Sequence, residues 1–294
     1  MNITGGEEVE IRISIIGGDK REKVVINELA ARGYHLRVLS DTDLDIDNVY
    51  CNHELKKIVK KTDIVIAPMS GTDENGNLKS KFIEKNIKLN EYFFNLLEKD
   101  TLFLIGIARP KIKKILVDKN IDFVEMAYKD ELAILNAIPT AEGAIKIAIE
   151  ETEFTIYNSK VITFGLGRVG LTLAWRLNLL GAESYAVTRN KAAIARGKDL
   201  GLKMISYQQL PEYIAQMDII FNTVPSLIIH ENLIYQMKNN CVIIDLASAP
   251  GGTDFKAAAA NDIKAILASG LPGKVAPLTA GKMLNDVILD LINK

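Results

Sequence analysis

Between residues 159 and 268 six short apolar runs recur: SKVITF (159–164), ESYAVT (183–188), LKMIS (202–206), DIIFNTV (218–224), CVIIDLA (241–247) and IKAILA (263–268). Helical stretches alternate with them. Apolar runs of this length read as buried strands, and a helix between successive strands leads to parallel pairing. Six strands in this order match the doubly wound dinucleotide-binding fold.

The first half repeats the alternation less regularly. VEIRISII (9–16) ends at Gly17-Gly18-Asp19, and the polar helix KREKVVINELAARG follows. Then come YHLRVLS (34–40), DIVIAPMS (63–70), TLFLIGIA (101–108) and IDFVEM (121–126), with helical stretches between most of them. Residues 70–80, SGTDENGNLKS, form the most polar loop of this half. Near the middle, Pro139 suits the first turn of a helix, and Ala141, Ala144, Ile145, Ala148 and Ile149 follow at helical spacing. The predicted fold is therefore α/β, with two doubly wound parallel-sheet domains of which the second is a Rossmann domain. Residues 1–138 form the first, a substrate domain. A long linking helix spans 139–152, and the Rossmann domain covers 153–275. A last helix, 276–294, carries a stripe of Met283, Leu284, Val287, Ile288 and Leu291 and is expected to pack back on the first half.

Inside this frame the string TFGLGRVG (163–170) sits between a strand and a helix, the context that a G-x-G-x-x-G fingerprint requires. Gly165 permits a tight turn, Gly167 lets a diphosphate approach the backbone, and Gly170 lets helix and strand pack closely. The helix start then offers free N–H groups and a partial positive charge. Leu166, Arg168 and Val169 complete the turn, and Arg168 adds a cation. At the end of the second strand, where NAD enzymes place an acid, stand Thr188 and Arg189. A hydroxyl and a guanidinium suit a 2′-phosphate, so the expected cofactor is NADP. Asn222, Thr223, Val224 and Pro225 follow one strand end and Leu246, Ala247 and Ser248 the next; both loops are expected to line the nicotinamide side of the crevice. Turn chemistry alone also accounts for Asn and Pro there.

Composition narrows the function classes. The net charge is −1, with 36 basic and 37 acidic residues, which gives no field for nucleic acid. No apolar run approaches the roughly 20 residues that span a bilayer, and the N-terminus does not resemble a secretory signal. Cys51 and Cys241 fall in different halves, so reduced thiols and a cytoplasmic protein are expected. His35, His53 and His230 are scattered, and no Cys/His spacing matches a metal site.

The strings NAIPTAEG, FGLGRVG, NTVPS, DLASAPGGTDF and GLPGKVAPLTAG, with the opening IGGDKRE and the loop PMSGTDENG, resemble the A subunit family of dipicolinate synthase over nearly the whole chain. The resemblance implies NADP-dependent oxidation of a dihydrodipicolinate-type compound, or its hydrated tetrahydro precursor, to pyridine-2,6-dicarboxylate. It also implies a role in spore formation, in the mother-cell cytoplasm, where the partner is the flavoprotein-like B subunit of the synthase. A homodimer or higher homo-oligomer is the default for such a protein. The layout is also similar to that of the 2-hydroxyacid dehydrogenases, but the tail carries no catalytic His. An NADP-dependent 2-hydroxyacid or 2-keto acid oxidoreductase and a non-catalytic NADP-sensing subunit remain as alternatives.

A substrate with two carboxylates calls for hydroxyls, backbone N–H groups or cations. The nominated groups are Ser70, Gly71 and Thr72, Thr140 at the start of the linking helix, and Lys274, Ala276, Pro277 and Thr279. Glu142 is the nominated base and Lys274 a carboxylate partner at the reacting centre.

Overall fold

The structure, a computed structural model, describes residues 11–78 and 80–293. The reading of the N-terminus, the start of the 9–16 strand, Lys79 in the polar loop and Lys294 in the last helix lie outside the described residues. The chain divides into two compact units, residues 1–132 with 277–294 and residues 133–276.

The first unit runs β1 (Ile13–Ile15), α1 (Lys20–Ala31), β2 (Leu36–Leu39), β3 (Val49–Asn52), α2 (Leu55–Val59), β4 (Ile64–Ile66), β5 (Asn77–Leu78), β6 (Ile87–Lys88), α3 (Glu91–Phe94), β7 (Leu102–Ile105), α4 (Pro110–Asp118) and β8 (Phe123–Glu125). Six of these strands form one sheet in the order β3-β2-β1-β4-β7-β8, all parallel. Ile13 lies opposite Leu36 on one side and Ile64 on the other. Ile15, Val38 and Val65 are fully buried, because helices cover both faces of such a sheet. Two pieces were not legible in the sequence. The strand β3, VYCN, is an edge strand and half exposed, so it lacks an apolar run. The polar 70–80 loop contains β5, which pairs with β6 as a small antiparallel ribbon.

The connecting helix α5 spans Asp130–Glu151, so it starts well before the predicted residue 139. Pro139 lies inside the helix and not in its first turn. Leu132, Ala137, Ala141, Ala144 and Ala148 are all fully buried, and this helical period runs straight through the proline. By length and composition α5 is apolar enough to cross a bilayer, which corrects the expectation drawn from apolar runs alone; its alanine ridge instead packs into a protein core.

The second unit continues with β9 (Lys160–Phe164), α6 (Arg168–Leu179), β10 (Glu183–Val187), α7 (Lys191–Asp199), β11 (Lys203–Ile205), α8 (Leu210–Ile214), β12 (Ile219–Asn222), α9 (Glu231–Ile234), β13 (Val242–Asp245), α10 (Phe255–Ala260), β14 (Lys264–Leu267) and α11 (Leu271–Val275). Its sheet is parallel in the order β11-β10-β9-β12-β13-β14. Ile162, Ile220 and Ile243 are fully buried in one cluster, each worth roughly 1.5–3 kcal/mol of burial. The final helix α12 (Pro277–Ile292) belongs to the first unit, where Leu284, Val287 and Ile288 pack with Val25, Ile26 and Leu29. A side chain at Gly281 would come within 2.6 Å of Val24 Cβ, so α1 and α12 approach closely only because that position is glycine.

Candidate functional site

Both sheets share the order in which strand succession reverses beside the first strand, and ligands of such sheets bind at the carboxyl ends next to that reversal. The helix start at each reversal decides what it accepts, and the two differ sharply.

In the first unit α1 is closed by its own carboxylates. The Asp19 side chain accepts from the backbone N–H of Arg21 at 2.9 Å, and Glu22 Oε2 accepts from Asp19 N at 2.7 Å, a complete capping box. Glu22 Oε1 also accepts from Met69 N at 2.7 Å, which ties the turn after β1 to the loop after β4. Arg21 grips Asp19 through Nε at 3.1 Å and Nη2 at 2.9 Å. Burial pushes the Glu22 carboxyl up despite the neighbouring guanidinium. Burial acts the same way on Asp19, but the Arg21 side chain and backbone N–H outweigh it and hold that carboxyl below its usual range.

In the second unit α6 starts bare. Its N-cap is Gly167, with no side-chain cap and no acid in the first turn. The three glycines of the turn have three different surroundings. Gly165 has φ +84°, and a Cβ there would meet Thr223 Oγ1 at 2.6 Å and Val224 Cγ2 at 2.8 Å. A Cβ on Gly170 would lie 2.0 Å from the Gly165 carbonyl oxygen, so helix and strand touch there. A Cβ on Gly167 would meet nothing within 4 Å. Packing therefore requires two of the glycines and leaves the middle one facing open space. A bare helix start beside that space fits a diphosphate. Leu166 is buried against Ala186 and Leu202, Val169 is half-buried, and Arg168 stands at the first helical position.

At the end of β10, Thr188 and Arg189 border a cavity of about 580 Å³ with Lys198, Ser206 and Tyr207. Among the described residues its lining contains no carboxylate. The Arg189 guanidinium sits 5.3 Å from the centre of the Tyr207 ring, a cation–π distance. The start of α7 is capped by a neutral group, Asn190, whose side chain accepts from Ala193 N at 3.0 Å.

The comparisons with known proteins fit this geometry. The family of N-terminal domains from the dipicolinate synthase A subunit matches residues 12–127, and the alanine dehydrogenase/PNT C-terminal domain family matches 133–294. The A subunit of dipicolinate synthase from Bacillus subtilis (strain 168) is 35% identical over 285 residues, 96% of either chain. The chain belongs to the family of dipicolinate synthase A subunits. A crystal structure of that subunit from Bacillus halodurans superposes with a TM-score of 0.92 at 33% identity, covering 98% of this chain and 100% of the other. The corresponding crystal structure from Bacillus subtilis gives 0.89 at 34% identity, covering 97% and 96%. With this family comes a dehydrogenase-type dinucleotide-binding domain, which suggests a nicotinamide cofactor for an oxidoreductase.

Within this dipicolinate synthase fold, several predicted ligand positions serve the scaffold instead. Asn222 is fully buried: its amide donates to Val224 O at 3.1 Å and to Asp245 Oδ1 at 3.0 Å, and its oxygen accepts from Val224 N at 2.9 Å. Thr223 donates its hydroxyl to Phe164 O at 2.9 Å, latching β12 to the glycine turn. Ala247 is buried and Leu246 half-buried, so Pro225 and Ser248 are the exposed members of the two loops, with Val224 half-buried between them. The residue that sequence reasoning missed is Asp245. It is fully buried and accepts from Asn222 Nδ2, Ala247 N at 3.0 Å, Gly252 N at 2.8 Å and Thr253 Oγ1 at 2.7 Å. Four donors on one carboxylate hold the 222–226 and 245–253 loops as a unit.

The nominated substrate groups fall in both units. Ser70 is exposed, Gly71 has φ +65°, and Thr72 is 5% exposed with its hydroxyl unpartnered among the described residues. Thr140 does not cap a helix: it lies inside α5, and its hydroxyl donates to Asn136 O at 2.7 Å. The helix-start argument for that position fails with it. Lys274 is exposed at the end of α11, Thr279 is exposed in α12, and Ala276 and Pro277 flank the division between the units. Glu142 is exposed in a groove with Ile145, Arg176 and Leu179, a surface of α5 and α6 that contains none of the loops at the strand ends.

Proposed function

We propose that this chain is the NADP-binding oxidoreductase subunit of a dipicolinate synthase, converting dihydrodipicolinate, or its hydrated tetrahydro precursor, to dipicolinate. The observation that carries the cofactor half is the uncapped start of α6 beside the open side of Gly167. Gly165, Leu166, Gly167, Arg168, Val169 and Gly170 hold the diphosphate, and the acid-free end of β10, with Thr188 and Arg189, takes the 2′-phosphate. The rim formed by Val224, Pro225 and Ser248 borders the nicotinamide end. When bound, the nicotinamide supplies the hydride acceptor. The substrate half rests on the family and on the name of the Bacillus subtilis relative.

Oxidation of the dihydropyridine ring removes one hydride and one proton; from the hydrated precursor one water leaves as well, before or during that oxidation. The product is aromatic, so the chain's task is to orient the ring and hold its carboxylates rather than to drive an uphill step. Ser70, Gly71 and Thr72 of the first unit and Lys274 with Thr279 are the groups proposed for those carboxylates. Thr140 and Glu142 are not among them: the Thr140 hydroxyl is engaged inside α5, and the Glu142 side chain lines an outer groove. On the same reading the protein works in the mother-cell cytoplasm of a sporulating bacterium beside a second, flavoprotein-like subunit.

The test is appearance of reduced nicotinamide absorbance when purified chain meets freshly made dihydrodipicolinate and NADP, with and without the second subunit. NAD in place of NADP should give a much lower rate. NADP binding with no reduction in either mixture would turn the proposal into a sensor, and no NADP binding would remove it altogether.

A further inference from the structure

The outer face of α5 and α6 carries an apolar surface left open among the described residues. Ile149 is 57% exposed, Leu179 66%, Leu180 47% and Trp175 39%. With Ile145, three of them (Ile149, Leu179 and Leu180) border a groove of about 580 Å³. Tyr157, 65% exposed, extends the surface across Gly181, where a Cβ would fall 2.5 Å from its ring. Single exposed apolar side chains are ordinary, but a contiguous group rimmed by charge marks an interaction surface.

The rim indicates the occupant. It holds two acids, Glu142 and Glu150, and two bases, Lys146 and Arg176. Along α5 the signs alternate at four-residue spacing, and Lys146 already pairs with Glu150 of its own helix at 2.8 Å. A two-fold contact places one patch against itself, so it requires both signs in balance on the same surface. A basic excess would suit an anionic lipid surface, and this rim has none.

We propose that this face pairs with the same face of a second copy of the chain, two α5 helices running antiparallel with the axis at the level of Ala148 and Ile149. In that register Lys146 of each copy faces Glu150 of the other, and the apolar residues form the buried centre with Trp175 as an aromatic anchor. The surface lies wholly in the second unit, and its pairing is independent of the cofactor reading.

The chain contains a single tryptophan, Trp175, which is 39% exposed on α6 one helical turn before Leu179, so its emission responds to a contact on this face. Full-length protein is expected to sediment at twice the monomer mass, and dilution should shift Trp175 emission to the red as the pair separates. Leu179→Glu and Ile149→Glu should each weaken self-association by at least about 100-fold while the thermal transition persists. Should either variant fail to fold, charge exchange gives a separate test: Lys146→Glu alone weakens the pair, and Lys146→Glu with Glu150→Lys restores it. A chain that is monomeric at every concentration overturns the proposal. So does a dimer indifferent to both glutamate substitutions, or a Trp175 signal that moves only when a different protein is added.

Discussion

Replacing Gly167 by alanine separates a ligand-binding turn from one that merely joins a strand to a helix. Gly167 has φ −74° and ψ −165°, a conformation that alanine adopts without strain, and its Cβ would meet nothing within 4 Å. The gain from a stiffer unfolded chain, about 0.4–1 kcal/mol, is offset by alanine's poorer performance at an N-cap. The net change in stability should therefore stay within about 1 kcal/mol, a shift in Tm of at most roughly 4 °C. Binding should respond very differently. The methyl group occupies the side from which a diphosphate reaches the backbone, and it separates the phosphate oxygens from the N–H groups at the start of α6. Loss of one or two charge-assisted hydrogen bonds, each worth about 1.5–3 kcal/mol, weakens NADP by roughly 100-fold. Titration calorimetry with NADP, beside a thermal melt of the same sample, reads both quantities. Gly170→Ala serves as the opposite control: its Cβ would lie 2.0 Å from a backbone oxygen, so there the melt itself should collapse. An unchanged NADP affinity in the Gly167 variant would refute the reasoning, because open space at that glycine would then have no ligand to explain it.

Gly167→Asp transplants the arrangement of Asp19 to the second unit; it should raise the melting temperature slightly, through capping and the helix dipole, and abolish NADP binding in the same calorimetric titration. Arg189→Ala should weaken NADP about 10- to 100-fold and leave NAD nearly unchanged, read by paired titrations; an equal loss for both cofactors would place Arg189 elsewhere on the nucleotide. Asp245→Asn turns an NH2 group toward buried donors and should cost about 3 kcal/mol, seen as a lower unfolding midpoint in denaturant titration. Burial pushes the Cys241 thiol up to about 12 from 9.0, so the unfolded chain ionises first as pH rises; the folded state should lose about 4 kcal/mol between pH 9 and 12, and Cys241→Ala should flatten that part of the pH–stability curve.

What the sequence disclosed and what it hid follow one physical division. Buried parallel strands read as unbroken apolar runs, so the places of β9, β10, β12 and β13 were legible, the runs being one to three residues longer than the strands. The half-exposed edge strand β3 had no such run to read. Pro139 looked like a helix start because that is where proline costs least, yet the buried period from Leu132 to Ala148 carries α5 through it. The glycine turn was legible because its demands are local. The roles of Asn222 and Asp245 were not, since an Asn or Asp at a strand end looks the same whether it faces a ligand or a neighbouring loop. Only the return of Gly252 and Thr253 onto Asp245 distinguishes the two.

The same contrast explains why two sheets of one topology need not hold two dinucleotides. A diphosphate approaching α1 would meet the carboxylates of Asp19 and Glu22 already on the N–H groups it needs, and a like-charge contact near 4 Å costs about 4 kcal/mol at an effective dielectric of 20. At α6 no side-chain cap competes for those groups. The difference comes down to a few residues after the first strand, Gly18-Asp19-Lys20-Arg21-Glu22 against Gly165-Leu166-Gly167-Arg168-Val169. In the first unit the spent helix start is used mechanically: through Met69 N, Glu22 fixes the loop that presents Ser70, Gly71 and Thr72. One doubly wound sheet thus keeps its dipole for a ligand, and the other uses it to hold a loop in place.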